Sequence, residues 1–334
     1  MSMRFMRLAL GLFFVFIIGA AAYFLLSQPA RILVMNSAAH LAESVKRPVE
    51  IRLGFVGDMI FDRGVKAEIV KAGGDFSFPL ENIRPYLAQY DFLFGNLEGP
   101  VSDKGRNQGS KYSFRMDPKT VEALAASGFT AVSVANNHIG DWGESAMLDT
   151  FRHLAAAHIL AVGGGMNAEE AYAPRFFETK GLRIAVIGQS QFGKNYTEAR
   201  DTTPGIAIID EAKLKTAVAA ARDQAHIVIV SFHFGDEYEP EPNAFQKKIA
   251  ETAIDAGADI VVGHHPHVLE PLKAYGRGFI VYSLGNFIFD QDFSEETMTS
   301  AILDVTVLGE KITAVRLLPV RINERLQPEL VENP

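Results

Sequence analysis

Along the chain, short runs of β-branched and aromatic residues alternate with stretches of helical spacing. "IRLGFVG", "FLFGN", "TAVSVA", "RIAVIG", "IVIVSF", "DIVVG" and "FIVYSLG" have the length and composition of strands. "DPKTVEALAASG" and "DEAKLKTAVAAARDQA" have the 3.6-residue period of helices, with Asp117 and Asp210 as N-caps and Gly128 as a stop. Alternation of this kind predicts an α/β architecture. The segment "TSAILDVTVLGEKITAVRLLPV" reads instead as two strands turning at Gly309, an antiparallel finish to a sheet. No repeat or low-complexity block interrupts the pattern, so one domain is expected over 49–334.

The N-terminal pattern is different. Behind Arg4 and Arg7 no charge occurs from Leu8 through Ala30, a run long enough to cross an apolar layer of ~30 Å as a helix. Residues 1–27 are therefore expected to be a single transmembrane anchor, 28–48 a connector, and the remainder extracytoplasmic by the placement of positive charge. A cleaved signal peptide ending near "GAAAY" is the competing reading, but Tyr23, Phe24, Leu25 and Leu26 prolong the apolar run past such a cut.

Composition narrows the chemistry. The chain of 334 residues is 48% hydrophobic, enough for a large core, and its net charge of −8 with no basic stripe excludes nucleic acid as a partner. It has no cysteine, so a metal site must be built from His, Asp, Glu and Asn. The residues at the ends of the apolar runs fit that need: Asp58 after "LGFVG", Asn96 and Glu98 at "NLE", Asn137 and His138 at "NNH", His233 after "VIVSF", and His264, His265 and His267 after "DIVVG". Ligands bind α/β sheets outside the carboxyl ends of strands. The other histidines, His40, His153, His158 and His226, lie in the connector, in helical segments or before strands. Imidazole with carboxylate and amide oxygen suits divalent Zn, Mn or Fe, and the set exceeds the three protein ligands that one catalytic ion needs, which points to two ions. Each piece alone has an ordinary reading: Gly57-Asp58 as a turn, "NLE" as a loop entry, Asn136 or Asn137 as a helix cap, His233 as a hydrogen-bonded core histidine. Their joint occurrence at strand ends outweighs those readings.

The motifs "GDMIFDR", "NLEGPVSD", "VANNHIGDWG", "HFGDEY", "GHHPHVLEP" and "YSLGNFIFD", from about Arg52 to Asp290, resemble in order and spacing the CapA/PgsA-type family of poly-γ-glutamate capsule biosynthesis. That family looks like a branch of the calcineurin-like metallophosphoesterases. The resemblance implies a two-sheet sandwich flanked by helices around a dinuclear centre. It implies Asp58 on one metal, Glu98 between the two, Asn137, His233 and His265 on the second, and His267 back on the first, with His264 as the alternative to His265. His138 would be a general acid or an oxyanion donor. Two features depart from the wider phosphoesterase pattern: its Asp-x-His is Asp58-Met59-Ile60 here, and Glu98 stands for the bridging aspartate. Arg63, Asn96, Glu237 and Asn286 are expected to meet substrate or to orient the ligands, and Tyr238 to orient them with Glu237. Glycine-rich "VGGGMN" lacks the dinucleotide fingerprint and is assigned no cofactor. The implied partners are the membrane, poly-γ-glutamate or another surface polymer, and membrane-bound capsule synthase subunits. Two functions compete, a metal-dependent hydrolase of phosphoesters or γ-glutamyl amides and a non-catalytic metal-binding scaffold of the synthesis complex.

Overall fold

The computed structural model describes residues 49–193 and 197–331, so the anchor expected over 1–27 and the connector over 28–48 lie outside the described residues. Among the described residues no helix is long and apolar enough to cross a membrane. The strands are, in chain order, β1 (Glu50–Met59), β2 (Phe92–Leu97), β3 (Ala131–Ser133), β4 (Leu160–Val162), β5 (Gly164–Gly165), β6 (Arg175–Thr179), β7 (Leu182–Ser190) and β8 (Gly205–Ile206). They continue with β9 (Ile227–His233), β10 (Ile260–His264), β11 (Leu269–Tyr275), β12 (Gly278–Leu284), β13 (Asn286–Ile288), β14 (Thr299–Leu308), β15 (Lys311–Ile322) and β16 (Pro328–Leu330). The helices are α1 (Arg63–Lys71), α2 (Arg84–Leu87), α3 (Lys119–Ala126), α4 (Glu144–Ala156), α5 (Ala168–Tyr172), α6 (Glu211–Arg222) and α7 (Ala244–Asp255).

Two mixed sheets result. The first runs β16-β15-β14-β1-β2-β3-β4, with β13 beside the end of β1, and the second runs β11-β12-β10-β9-β7-β6. β1 to β4 are parallel, as are β12, β10, β9 and β7, while β14 to β16, β6 and β11 join antiparallel. Parallel neighbours need crossover connections, and the helices supply several of them.

Alternate positions of the strands face the space between the sheets. Leu53 and Phe55 of β1 and Phe92 and Phe94 of β2 pack there with Ile184, Val186, Ile229, Ile260 and Val262 of the second sheet. The outer face of the first sheet is covered by Val65 and Ile69 of α1, Leu124 of α3 and Met147 of α4. The outer face of the second is covered by Leu214 and Val218 of α6 and Ile249 and Ala253 of α7. The layers are therefore helix, sheet, sheet, helix, and parallel strands buried on both faces read as near-continuous apolar runs. Phe94 is fully buried, and its truncation to alanine costs about 3–5 kcal/mol.

Local signals behave as their chemistry predicts, with one shift. Asp210 caps α6, accepting from Ala212 N at 2.9 Å and Lys213 N at 3.0 Å. At α3 the cap position is taken by Pro118, whose fixed φ suits a first turn, while Asp117 still accepts from Lys119 N at 3.0 Å. Where β1 ends, its register with β2 shifts between Phe55 and Asp58, a bulge that re-aims the strand end. Two glycines permit close backbone approach there. A Cβ at Gly57 would lie 1.9 Å from Gly285 O, and one at Gly263 would lie 1.7 Å from Tyr282 O.

Candidate metal centre

The strand ends of both sheets meet at one rim. Asp58 near the end of β1 is in register with Asn96 of β2 and with Asn286 of β13. Glu98 follows β2, and Asn137 and His138 follow β3. His233 ends β9 beside His264, which ends β10, and the turn after β10 carries His265 and His267. Asp58, Asn96, Glu98, His233 and Asn286 are fully buried, and His265 is 5% exposed.

Distances define the cluster. Asp58 Oδ2 accepts from His265 N at 3.1 Å and lies 3.4 Å from His267 Nδ1. Glu98 Oε1 lies 3.7 Å from His267 Nε2 and 3.9 Å from His138 Nε2. His233 Nε2 and Asn137 Oδ1 are 2.8 Å apart, and the His265 ring is 4.8 Å from that of His233 and 5.8 Å from that of His267. The structure thus brings Asp58, Glu98, Asn137, His233, His265 and His267 into one place. His264 lies on the far side of Asp58, its Nδ1 3.4 Å from Oδ1 and its ring 6.2 Å from that of Phe94.

Asn96 occupies the middle as a donor. Its neighbour Asn136 is pinned by two backbone groups, donating to Leu97 O at 2.9 Å and accepting from His138 N at 3.2 Å. Asn136 also donates to Asn96 Oδ1 at 3.1 Å, which turns Asn96 Nδ2 toward Asp58 Oδ1 at 2.8 Å, Glu98 Oε2 at 3.3 Å and His233 Nδ1 at 3.3 Å. Asn286 Oδ1 meets His267 Nδ1 at 3.0 Å and fixes that ring.

The donor set fits divalent cations. Two groups, Asp58 with Glu98 and His267, and Glu237 with His265 and His267, each hold ligand atoms within 4.8 Å of one another. Glu98 Oε1 and His265 Nδ1, one from each group, are buried without a hydrogen-bond partner. Burial and the charge of Asp58 push the Glu98 carboxyl well above its usual range. Burial acts the same way on Asp58, but the imidazoles of His264 and His267, each 3.4 Å away, outweigh it and hold that carboxyl well below its usual range. Burial also opposes charge on His267, yet Glu98 and Asp58 raise it to about 9. Burial, followed by neighbouring histidine charge, drives His265 down to about 3 and His233 well below its usual value. An ionised Asp58, a desolvated Glu98 that favours its proton, a His267 that holds one between them, and His233 and His265 kept neutral form a set in which a cation can take the place of those protons.

His138 is set apart from this group by its own partner. Its Nδ1 lies 2.7 Å from Asp141 Oδ2, and Asp141 also accepts from Phe114 N and from the Ser110 hydroxyl, each at 3.0 Å. An ionised carboxylate only accepts, so Nδ1 carries the proton and Nε2 remains for exchange. A cavity of about 200 Å³ opens here, lined by His138, His267, Arg63, Tyr112, Glu237 and Tyr238 among others. Cavities of about 450 and 770 Å³ elsewhere contain none of these donors. Arg63 pairs with Asp290 at 3.0 Å and Trp142 lies under Arg115, away from the cavity. Asp141 was not among the residues expected from sequence, although its place three residues after His138 was a usable signal. Nor was Phe192, whose ring lies 4.3 Å from that of His265 and which no motif announces.

Comparison with known proteins shows the family and the fold. Residues 52–291 match the family model described as bacterial capsule synthesis protein PGA_cap. The capsule biosynthesis protein CapA of Bacillus anthracis is 33% identical over 283 residues, covering 82% of this chain and 68% of that protein. The PGA biosynthesis protein CapA of Bacillus subtilis is 34% identical over 273 residues, 81% of this chain and 71% of that one. Among solved structures, a phosphatase from Mycoplasma pneumoniae superposes with a TM-score of 0.50 at 13% identity, over 82% of this chain and 94% of that one, a likeness of fold.

Proposed function

Since the chain belongs to the bacterial capsule synthesis protein PGA_cap family, we propose that it is a metal-dependent hydrolase of polyglutamate capsule synthesis, acting on a phosphoester or a γ-glutamyl amide. The observation that carries this reading is the cluster of six metal-type ligands beside a carboxylate-oriented histidine, with His267 and His138 both lining one small cavity. Asp58, Glu98 and His267 would hold one cation and Asn137, His233 and His265 the other, with Mn, Zn or Fe suited to the donors. When bound, the cations polarise a phosphoryl or carbonyl oxygen. Asn96 keeps the carboxylates in place through its fixed amide. Asp141 holds one proton on His138 Nδ1, so that Nε2 is the atom that takes up a second from solvent and passes it to the departing oxygen or nitrogen. The test is turnover of the metal-loaded protein on a phosphomonoester, a phosphodiester and γ-glutamyl chains. His138→Ala should keep its metal and lose ~10²- to 10⁴-fold in rate. Fully loaded protein inert on all three substrates sinks the hydrolase and leaves the scaffold role.

The same reading keeps residues 1–27 as a membrane anchor, with the main domain outside the cytoplasm and beside the synthase subunits. The charge-free run behind Arg4 and Arg7 supports it. Cell fractionation with protease access checks it, and intact protein in the soluble cytoplasm overturns it.

A further inference from the structure

The turn that bears His265 and His267 is locked against the loop that follows His233. Tyr238 N donates to Pro266 O at 2.8 Å, and the Tyr238 hydroxyl accepts from Gln291 Nε2 at 3.1 Å. Gln291 Oε1 accepts from Asn286 Nδ2 at 3.0 Å, and Asn286 Oδ1 meets His267 Nδ1 at 3.0 Å, which closes a ring of contacts. Tyr238, His265 and His267 have φ of 66°, 102° and 61°, a region that side-chain-bearing residues avoid, so both segments are held in shape by this contact.

Glu237, next to Tyr238, is held over the donors. One of its carboxylate oxygens lies with a nitrogen of His265 and a nitrogen of His267 inside a 4.8 Å span. Ligand bonds of ~2.1 Å separate neighbouring donors on one ion by roughly 3–4 Å, so a small contraction brings the Glu237 oxygen onto the ion that His265 would hold or onto the one that His267 would hold. His265 Nδ1 is buried and has no hydrogen-bond partner. Unlike Asp58 and Glu98, Glu237 is exposed, and it lines the cavity that His138 and Arg63 share.

On the footing of the metal-centre reading, we propose that Glu237 is a direct but displaceable ligand. It closes the centre from the solvent side and yields its place to an anionic group, carboxylate or phosphate, that enters the cavity. Two buried carboxylates leave excess positive charge on two divalent ions, and an exposed third offsets it without blocking exchange.

The test uses the full-length chain loaded with Co²⁺ in wild type, Glu237→Gln and Glu237→Ala, with Asp236→Asn as a neighbouring control and circular dichroism to confirm folding. Both Glu237 variants should change the visible Co²⁺ absorption and bind one equivalent ~10-fold more weakly, while the control should not. Acetate should return Glu237→Ala toward the wild-type spectrum, which a residue that only shapes the loop would not allow. Inorganic phosphate should bind the loaded Glu237→Ala protein more tightly than wild type, because no internal carboxylate must leave. Wild-type spectra and affinities in both variants would overturn the proposal alone. A wild-type chain that takes up no Co²⁺ would overturn the metal-centre reading, and this proposal with it.

Discussion

Asp141 shows how one side chain sets what another can do. It holds a single tautomer of His138, so Asp141→Asn should leave metal content unchanged and lower turnover by ~10-fold or more, checked by metal analysis beside rate measurement. Its position three residues after His138 is plain in the sequence. The aim of the two side chains is not, because it depends on the turn after β3 and on bonds from Phe114 and Ser110. Glu270, a buried group outside the centre, gives a second prediction. Burial raises its carboxyl to about 8, although a hydrogen bond from Gln246 Nε2 at 2.7 Å opposes the shift. The unfolded carboxyl titrates near ~4.3, so between these values the folded chain holds a proton that the unfolded chain has lost. Stability from this group is therefore full below the unfolded value, falls as pH rises toward 8, and is flat above it. Glu270→Gln should remove a decline of about 3 kcal/mol between pH ~5 and ~8, read by urea unfolding of both proteins across that range.

The elements meet where backbones nearly touch, and glycine makes that possible. Gly57 precedes Asp58 and Gly263 precedes His264, and the atom that an added Cβ would strike is a backbone carbonyl, that of Gly285 between β12 and β13 or that of Tyr282 within β12. A backbone carbonyl within a strand, or between two strands and bonded to Asp58 N as Gly285 O is, cannot swing away as a side chain can. Gly57→Ala and Gly263→Ala should each cost about 3 kcal/mol or more and lower metal uptake, as thermal unfolding and metal titration would show. The strands that carry Asp58, Glu98, His233 and His265 were legible because each is an apolar run buried on both faces. Strands β4, β5 and β8, of two or three residues, are too short to leave a period. The pairing of β14 and β13 with β1 was also hidden, since it joins segments more than two hundred positions apart and no local pattern records it.

For the molecule as a whole, the centre joins the sheets: Asp58, Glu98 and Asn137 come from the first, and His233, His265 and His267 from the second. Bound cations should then stabilise the sandwich. A ligand at a hundred times its Kd adds about 2.7 kcal/mol, which for a domain of this size is roughly 4–5 °C in Tm. Chelator should lower Tm by that amount in the wild type and by much less in His267→Ala, as calorimetry would show. The contact between Asp58 and His265 spans 207 positions of chain. No cation can find its full set of donors until the second sheet has closed on the first. The ion is then chosen late, by whatever the surroundings offer at that moment. If the proposed extracytoplasmic placement holds, the contents of that outer space would decide between manganese, zinc and iron, and protein folded in a test tube would carry the metal of its buffer.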